Sequence, residues 1–243
     1  DTGDVWIDVN NEAWVWTEDD TWDDAGNIQG PAGADGQDAE SPARVIWVAD
    51  DNTGDFTKLS DALASITDAS ATQPYVIKIA PGVYIETTTV AMKDHVDVEG
   101  SGQVITSINC ACGSSVSQSD YRPGSVISAS AINAEIRHLT INNTGSTGTS
   151  VGLATYGTPD GTFRMTYITA TATGGTVRNV GVWNYESNPT MNHVTATATG
   201  GTTNYGVYND EDSSPIMNNV TATAGGGTGT NTGVYNYYDS YST

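Results

Sequence analysis

A unit of about 26 residues repeats through the second half of this chain, and it limits the possible folds more than any other feature. Met165, Met191 and Met217 are spaced by 26, as are Ile168, Val194 and Val220. Val182, Val207 and Val234 follow at 25 and 27. A degenerate copy, with Ile136, Leu139 and Val151-Gly152-Leu153, lies 29 residues upstream. Each unit reads apolar strand, glycine-rich turn, apolar strand, polar turn. Alternation within the strands has period two, so the unit is a coil of β-structure rather than a helical hairpin. Stacked coils of this length predict an all-β fold, a parallel β-helix (solenoid), with repeats from about residue 135 and room for seven or eight coils over 45–243.

The repeat also assigns faces. In VTATAT, Val194, Ala196 and Ala198 turn inward while Thr195, Thr197 and Thr199 turn outward. Alanine inside implies a thin, flat wall. The outer threonines suit a β-surface, and a small array of them is the pattern an ice-binding surface would use. The second strand, Gly-Val-(Trp/Tyr)-Asn, points Val182, Val207 and Val234 inward. Trp183, Tyr208 and Tyr235 then form an outer aromatic column, with Tyr185 and Tyr237 beside it. These five residues are the candidates for binding a carbohydrate or another partner. Asn184, Asn209 and Asn236 point inward and are expected to form an amide ladder.

The first part of the chain is organised differently. Residues 1–29 read as a small β-meander, with VWIDV and AWVW as strands joined by NNE. Trp6, Trp14, Trp16 and Trp22 crowd this piece, which is too small to bury four indoles alone. They are the candidate oligomerisation or docking residues. Residues 30–44 begin with three glycine triplets, GPAGADGQD, readable as a flexible linker or as a short collagen-like neck. With the Trp-rich head, this segment resembles the necks of phage tail fibres and bacterial surface fibres. In FTKLSDALASI, Phe56, Leu59, Leu63 and Ile66 have helical spacing, which predicts a helix near 56–66. Cys110 and Cys112 read as two small buried residues or as a local disulfide.

The stretch GDFTKLSDALASI…YVIKIAPGVYIE resembles the opening of pectin-lyase-like proteins, pectin methylesterases in particular, over residues 45–110. The resemblance implies a right-handed parallel β-helix whose first rung is capped by the 56–66 helix. Segments of the Gln-Asp-Thr-Leu and Asp-Phe-Ile-Phe-Gly type that accompany activity in that family are not found. None of Arg44, Arg122, Arg137, Arg164 and Arg178 sits in a lyase motif. No catalytic residue is therefore assigned.

The formal net charge of -21 argues against nucleic acid. No apolar run approaches the length of a membrane span. His95, His138 and His193 are too dispersed for a transition-metal site. No cofactor is expected except a calcium ion that Asp50, Asp51 and Asp55 could hold through their oxygens. The chain begins at Asp1 and ends in NYYDSYST within a coil, which reads as a processed product with an end to be paired. Together these features predict an extracellular, cell-surface or virion-surface protein: a non-catalytic structural or adhesive fibre subunit. It would self-associate as a trimer or end-to-end filament and could contact surface polysaccharide. The alternative is a polysaccharide-binding or polysaccharide-degrading enzyme.

Overall fold

The computed structural model describes residues 5–7, 12–18, 21–27, 43–114, 124–145 and 147–243. The chain forms two compact units, Asp1–Ser41 and Pro42–Thr243. The first contains an antiparallel three-stranded sheet of β1 (Val5–Ile7), β2 (Glu12–Trp16) and β3 (Trp22–Asn27). Its register sets Trp6 opposite Trp14 and Trp16 opposite Trp22. The glycine triplets at 30–38 lie outside the described residues.

The second unit is a right-handed parallel β-solenoid of about six turns with one short helix. One wall is a long sheet. Its main ladder is β4 (Arg44–Val48), β5 (Tyr75–Ile79), β8 (Val96–Gly100), β11 (Ala134–Asn143), β13 (Phe163–Ala172), β15 (Thr190–Thr199) and β17 (Ile216–Asn218). The sheet is widened by β6 (Gly82–Glu86), β9 (Thr106–Cys110) and β18 (Thr221–Gly225). The opposing wall holds β7 (Val90–Ala91), β10 (Ser125–Ser130), β12 (Thr149–Tyr156), β14 (Arg178–Tyr185), β16 (Thr203–Asp210) and β19 (Asn231–Asn236). The turn count falls below seven because the early turns are long. The step from Val98 to its partner Ile136 takes 38 residues, against 26 from Met165 to Met191.

The cap helix α1 (Leu59–Ser65) buries Leu59, Ala62 and Leu63, with Ile66 buried just beyond its end. Inside, Ile136, Met165 and Met191 stack in register, as do Leu153, Val182 and Val207, all without solvent exposure. The alanine wall is as thin as its sequence implies. Ala170, Ala196 and Ala198 are fully buried. Glycine faces this wall from the other: a Cβ on Gly181 would sit 3.0 Å from the Ala196 carbonyl carbon, and one on Gly206 2.6 Å from the Thr223 amide nitrogen. Two sheets approaching this closely leave room for alanine and glycine only.

Two amide ladders run along the axis. Thr155 Oγ1 donates to Asn184 Oδ1 at 2.7 Å, Asn184 Nδ2 to Asn209 Oδ1 at 2.8 Å, and Asn209 Nδ2 to Asn236 Oδ1 at 2.7 Å. The second ladder joins Asn179, Asn204 and Asn231, with links of 3.2 and 2.7 Å. Each of these three also accepts the amide of a turn glycine, Gly175, Gly201 or Gly227. Cys110 and Cys112 form a disulfide with Cα atoms 5.2 Å apart. That is closer than an extended strand would hold them, so the strand turns at Ala111.

Candidate functional site

The chemistry concentrates on the outer face of the long sheet, near its helix-capped end. Strand alternation puts one residue of each rung into an outward column: Trp47, Lys78, Glu99, Arg137, Thr166, Asn192 and Asn218. A parallel column carries Asp97 and Glu135, whose strands also pair through this sheet. Arg137 is the hub. Its Nη2 donates to Glu99 Oε2 at 3.0 Å and its Nη1 to Glu135 Oε2 at 2.9 Å, while Asp97 Oδ2 lies 3.6 Å from Nη1. Lys78 Nζ donates to the same Glu99 Oε2 at 2.8 Å. Thr166 Oγ1 donates to Glu135 Oε1 at 2.6 Å.

Three carboxylates thus share two cations, leaving one negative charge in a half-buried patch. The Lys78 hydrogen bond, with Arg137, holds the Glu99 carboxyl below the usual carboxylate range despite the cost of its burial. Burial works against the Arg137 charge, but Glu99 and Glu135 outweigh it and hold the guanidinium protonated. Glu99 is therefore ionised at neutral pH. Both cations bind its Oε2, and Oε1 is turned toward His138, whose Nδ1 lies 4.0 Å away.

A pocket of about 220 Å³ opens over this patch, lined by Trp47, Lys78, Ile79, Glu99, Gly100, Ser101 and His138. His138 belongs to a column of strand-bend residues, His138, Tyr167, His193 and Asn219, each with φ between 53° and 58°. Their rings stack, His138 on Tyr167 at 5.4 Å and Tyr167 on His193 at 4.6 Å. Two histidines that look dispersed in sequence are thus two rungs apart in one stack.

The residues singled out from sequence lie elsewhere. Trp183, Tyr208 and Tyr235 do form one column. However, Trp183 is fully buried and Tyr208 is 6% exposed, so the column is no open sugar platform. They pack with Val151, Ala154, Val180 and Tyr205 in a cluster apart from the main core. The Arg178 guanidinium lies over the Tyr205 and Tyr208 rings at 5.8 and 5.6 Å. Tyr185 and Tyr235 are half-buried, and Tyr237 is exposed. In the first unit Trp14 and Trp16 are half-buried, whereas the side chains of Trp6 and Trp22 are outside the described ones.

The aspartates of the 50–55 turn serve separate local bonds. Asp51 Oδ1 accepts from Thr53, and Asp55 Oδ2 accepts the Trp47 amide. Among the described residues no three His, Cys, Asp or Glu side chains gather as a metal site.

Lys78, Asp97, Glu99, Glu135 and Arg137 were not assigned a role from sequence. Their signal is alternation: in YVIKI, VDVEG and AEIRH every lysine, arginine, aspartate and glutamate falls on the outward phase.

A pectinesterase family model matches residues 45–161, the segment that carries all five charged residues of this cluster. A search of curated proteins returned no match. Among solved structures, the chain is similar to a pectin methylesterase mutant in complex with a hexasaccharide, at 16% identity and a TM-score of 0.48, over 71% of this chain and 55% of that one. It is also similar to pectin methylesterase PemA from Erwinia chrysanthemi (13%, 81% and 89%, TM-score 0.44) and to that from carrot (17%, 81% and 82%, TM-score 0.42). The chain spans about half the length of the first of these structures. The family match overturns the expectation of a non-catalytic fibre subunit. That expectation rested on the Trp-rich head, the glycine triplets, the repeats and the absence of contiguous catalytic motifs, whereas the match is spread over 45–161 and the cluster is assembled from separate rungs.

Proposed function

We propose that this chain is a carboxylic-ester hydrolase acting on an esterified, uronic-acid-type polysaccharide. The observation that carries the reading is the coincidence of the pectinesterase match with the Glu99–Arg137 cluster. Hydrolysis of a methyl ester needs a base for the attacking water, stabilisation of the carbonyl oxyanion and a proton for the departing methoxide. Glu99 Oε1 takes the proton from water as the hydroxide adds to the ester carbon. Arg137, fixed by Glu99 and Glu135, offers positive charge to the oxyanion. Collapse breaks the C–O bond, and the proton taken by Glu99 passes to methoxide, giving an acid and methanol.

Charge favours the same substrate. A chain at -21 repels a polyuronate, whereas an esterified polymer is neutral. De-esterification would therefore generate its own product release. The Cys110–Cys112 disulfide supports an oxidising, extracellular setting.

The reading is tested by methanol release from highly esterified pectin across pH. Because Glu99 acts ionised and is held below its ordinary value of 4.5, activity should persist through weakly acidic pH and fall only below that value. Absence of methanol at every pH from a folded sample would refute the reading.

A further inference from the structure

Trp47 is a large apolar side chain left 51% exposed at the rim of the pocket. It sits on β4, the last strand of the long sheet, one rung from Lys78 and two from Glu99. At about 4.8 Å per rung, the indole lies roughly 10 Å along the axis from the carboxylate.

The strand beneath it is held from the opposite edge. The Trp47 amide donates to Asp55 Oδ2 at 2.9 Å, and its carbonyl accepts from the Asp55 and Phe56 amides at 2.8 and 3.1 Å. Gly54 permits this closeness, since a Cβ there would lie 2.8 Å from the Trp47 carbonyl oxygen. The backbone that carries the indole is thus held in place, while the side chain is left exposed.

We propose that Trp47 is the specificity-determining residue of this pocket, packing against the apolar face of an uncharged sugar unit about two units along the polymer from the one whose ester meets Glu99. This inference rests on the ester-hydrolase reading for its choice of substrate. An aromatic face attracts the C–H side of a sugar ring and gives nothing to a carboxylate. Lys78, the nearest cation on this column, is already bound to Glu99. A free uronate over Trp47 would therefore meet a patch with surplus negative charge and no partner. An esterified unit there meets no such penalty, so the site selects runs of ester over isolated ones.

The experiment is calorimetric binding of galacturonate oligomers to wild type, W47A and W47F, comparing unesterified oligomers with hydrolysis-resistant methyl amides that stand in for the esterified form, with thermal melts to establish folding. W47A is expected to weaken esterified-oligomer binding by about tenfold or more, roughly 1.4 kcal/mol. W47F should lose less, and the weak binding of unesterified oligomers should change little. Equal affinity of wild type and W47A for the esterified-type oligomer would overturn the inference, as would equal losses for both oligomers. Methanol release by wild-type protein separates the two readings. No release with Trp47-dependent binding refutes the hydrolase and leaves the platform standing. Release with an unchanged KM in W47A refutes the platform alone.

Discussion

Replacing Asn184 by alanine isolates what the inner amide ladder contributes. Asn184 is fully buried, accepts from Thr155 and donates to Asn209. Truncation leaves the Thr155 hydroxyl without its acceptor and Asn209 Oδ1 without its donor, both away from water. Each orphaned buried group costs about 1–3 kcal/mol, so a loss of about 3 kcal/mol is expected. Asn236, the exposed end of the same ladder, provides the control. Its removal costs the bond from Asn209 and a long, exposed one to Ser242 at 3.5 Å, and water can reach the groups left behind, so a loss of about 1 kcal/mol is expected. Urea unfolding followed by circular dichroism measures both. If N184A loses no more than N236A, the ladder is not a buried, mutually satisfying network and the reasoning fails.

Three further outcomes are expected. G206A drives a Cβ to 2.6 Å from the Thr223 nitrogen and 2.7 Å from the Gly233 oxygen, both backbone atoms; it should cost at least about 2 kcal/mol in the same unfolding assay, and a neutral result would contradict the thin-wall geometry. Replacing Cys110 and Cys112 by alanine removes a link closing only a three-residue loop, so chain entropy predicts a loss near 1.5 kcal/mol; a collapse of the fold would show that the link does more than constrain the unfolded chain. Burial raises the Asp210 carboxyl above its usual 3.8, so the folded state binds this proton more tightly than the unfolded chain. Its contribution to stability is complete below 3.8 and is lost as pH rises through the folded value. D210N should therefore raise the melting temperature at pH 7 and leave it unchanged at pH 3, and the reverse pattern would contradict the desolvation argument.

The repeat made much of the solenoid legible. Where units keep a 26-residue period, inward and outward residues follow from alternation, and the Asn184–Asn209–Asn236 ladder could be read directly. The second ladder, of Asn179, Asn204 and Asn231 at the start of each aromatic strand, was not read from the sequence, because its signal is a single polar residue beside a glycine turn. The Glu99–Arg137 cluster was hidden for a different reason. Its strands are separated by turns of 21 and 38 residues, so no fixed period aligns Lys78, Glu99 and Arg137. Register across such turns is set by packing rather than by spacing. Burial of Trp183 and Tyr208 was also out of reach. Period two states which face a side chain takes, not whether that face is covered.

The central claim is that ionised Glu99, held by Lys78 and Arg137, activates water against an ester. Its most direct test is NMR detection of methanol and new carboxylate from highly esterified pectin, comparing wild type with E99Q at equal folded concentration. The account predicts release by wild type and a loss of at least about 100-fold in E99Q, the scale of a missing general base. Equal rates in the two proteins would contradict it.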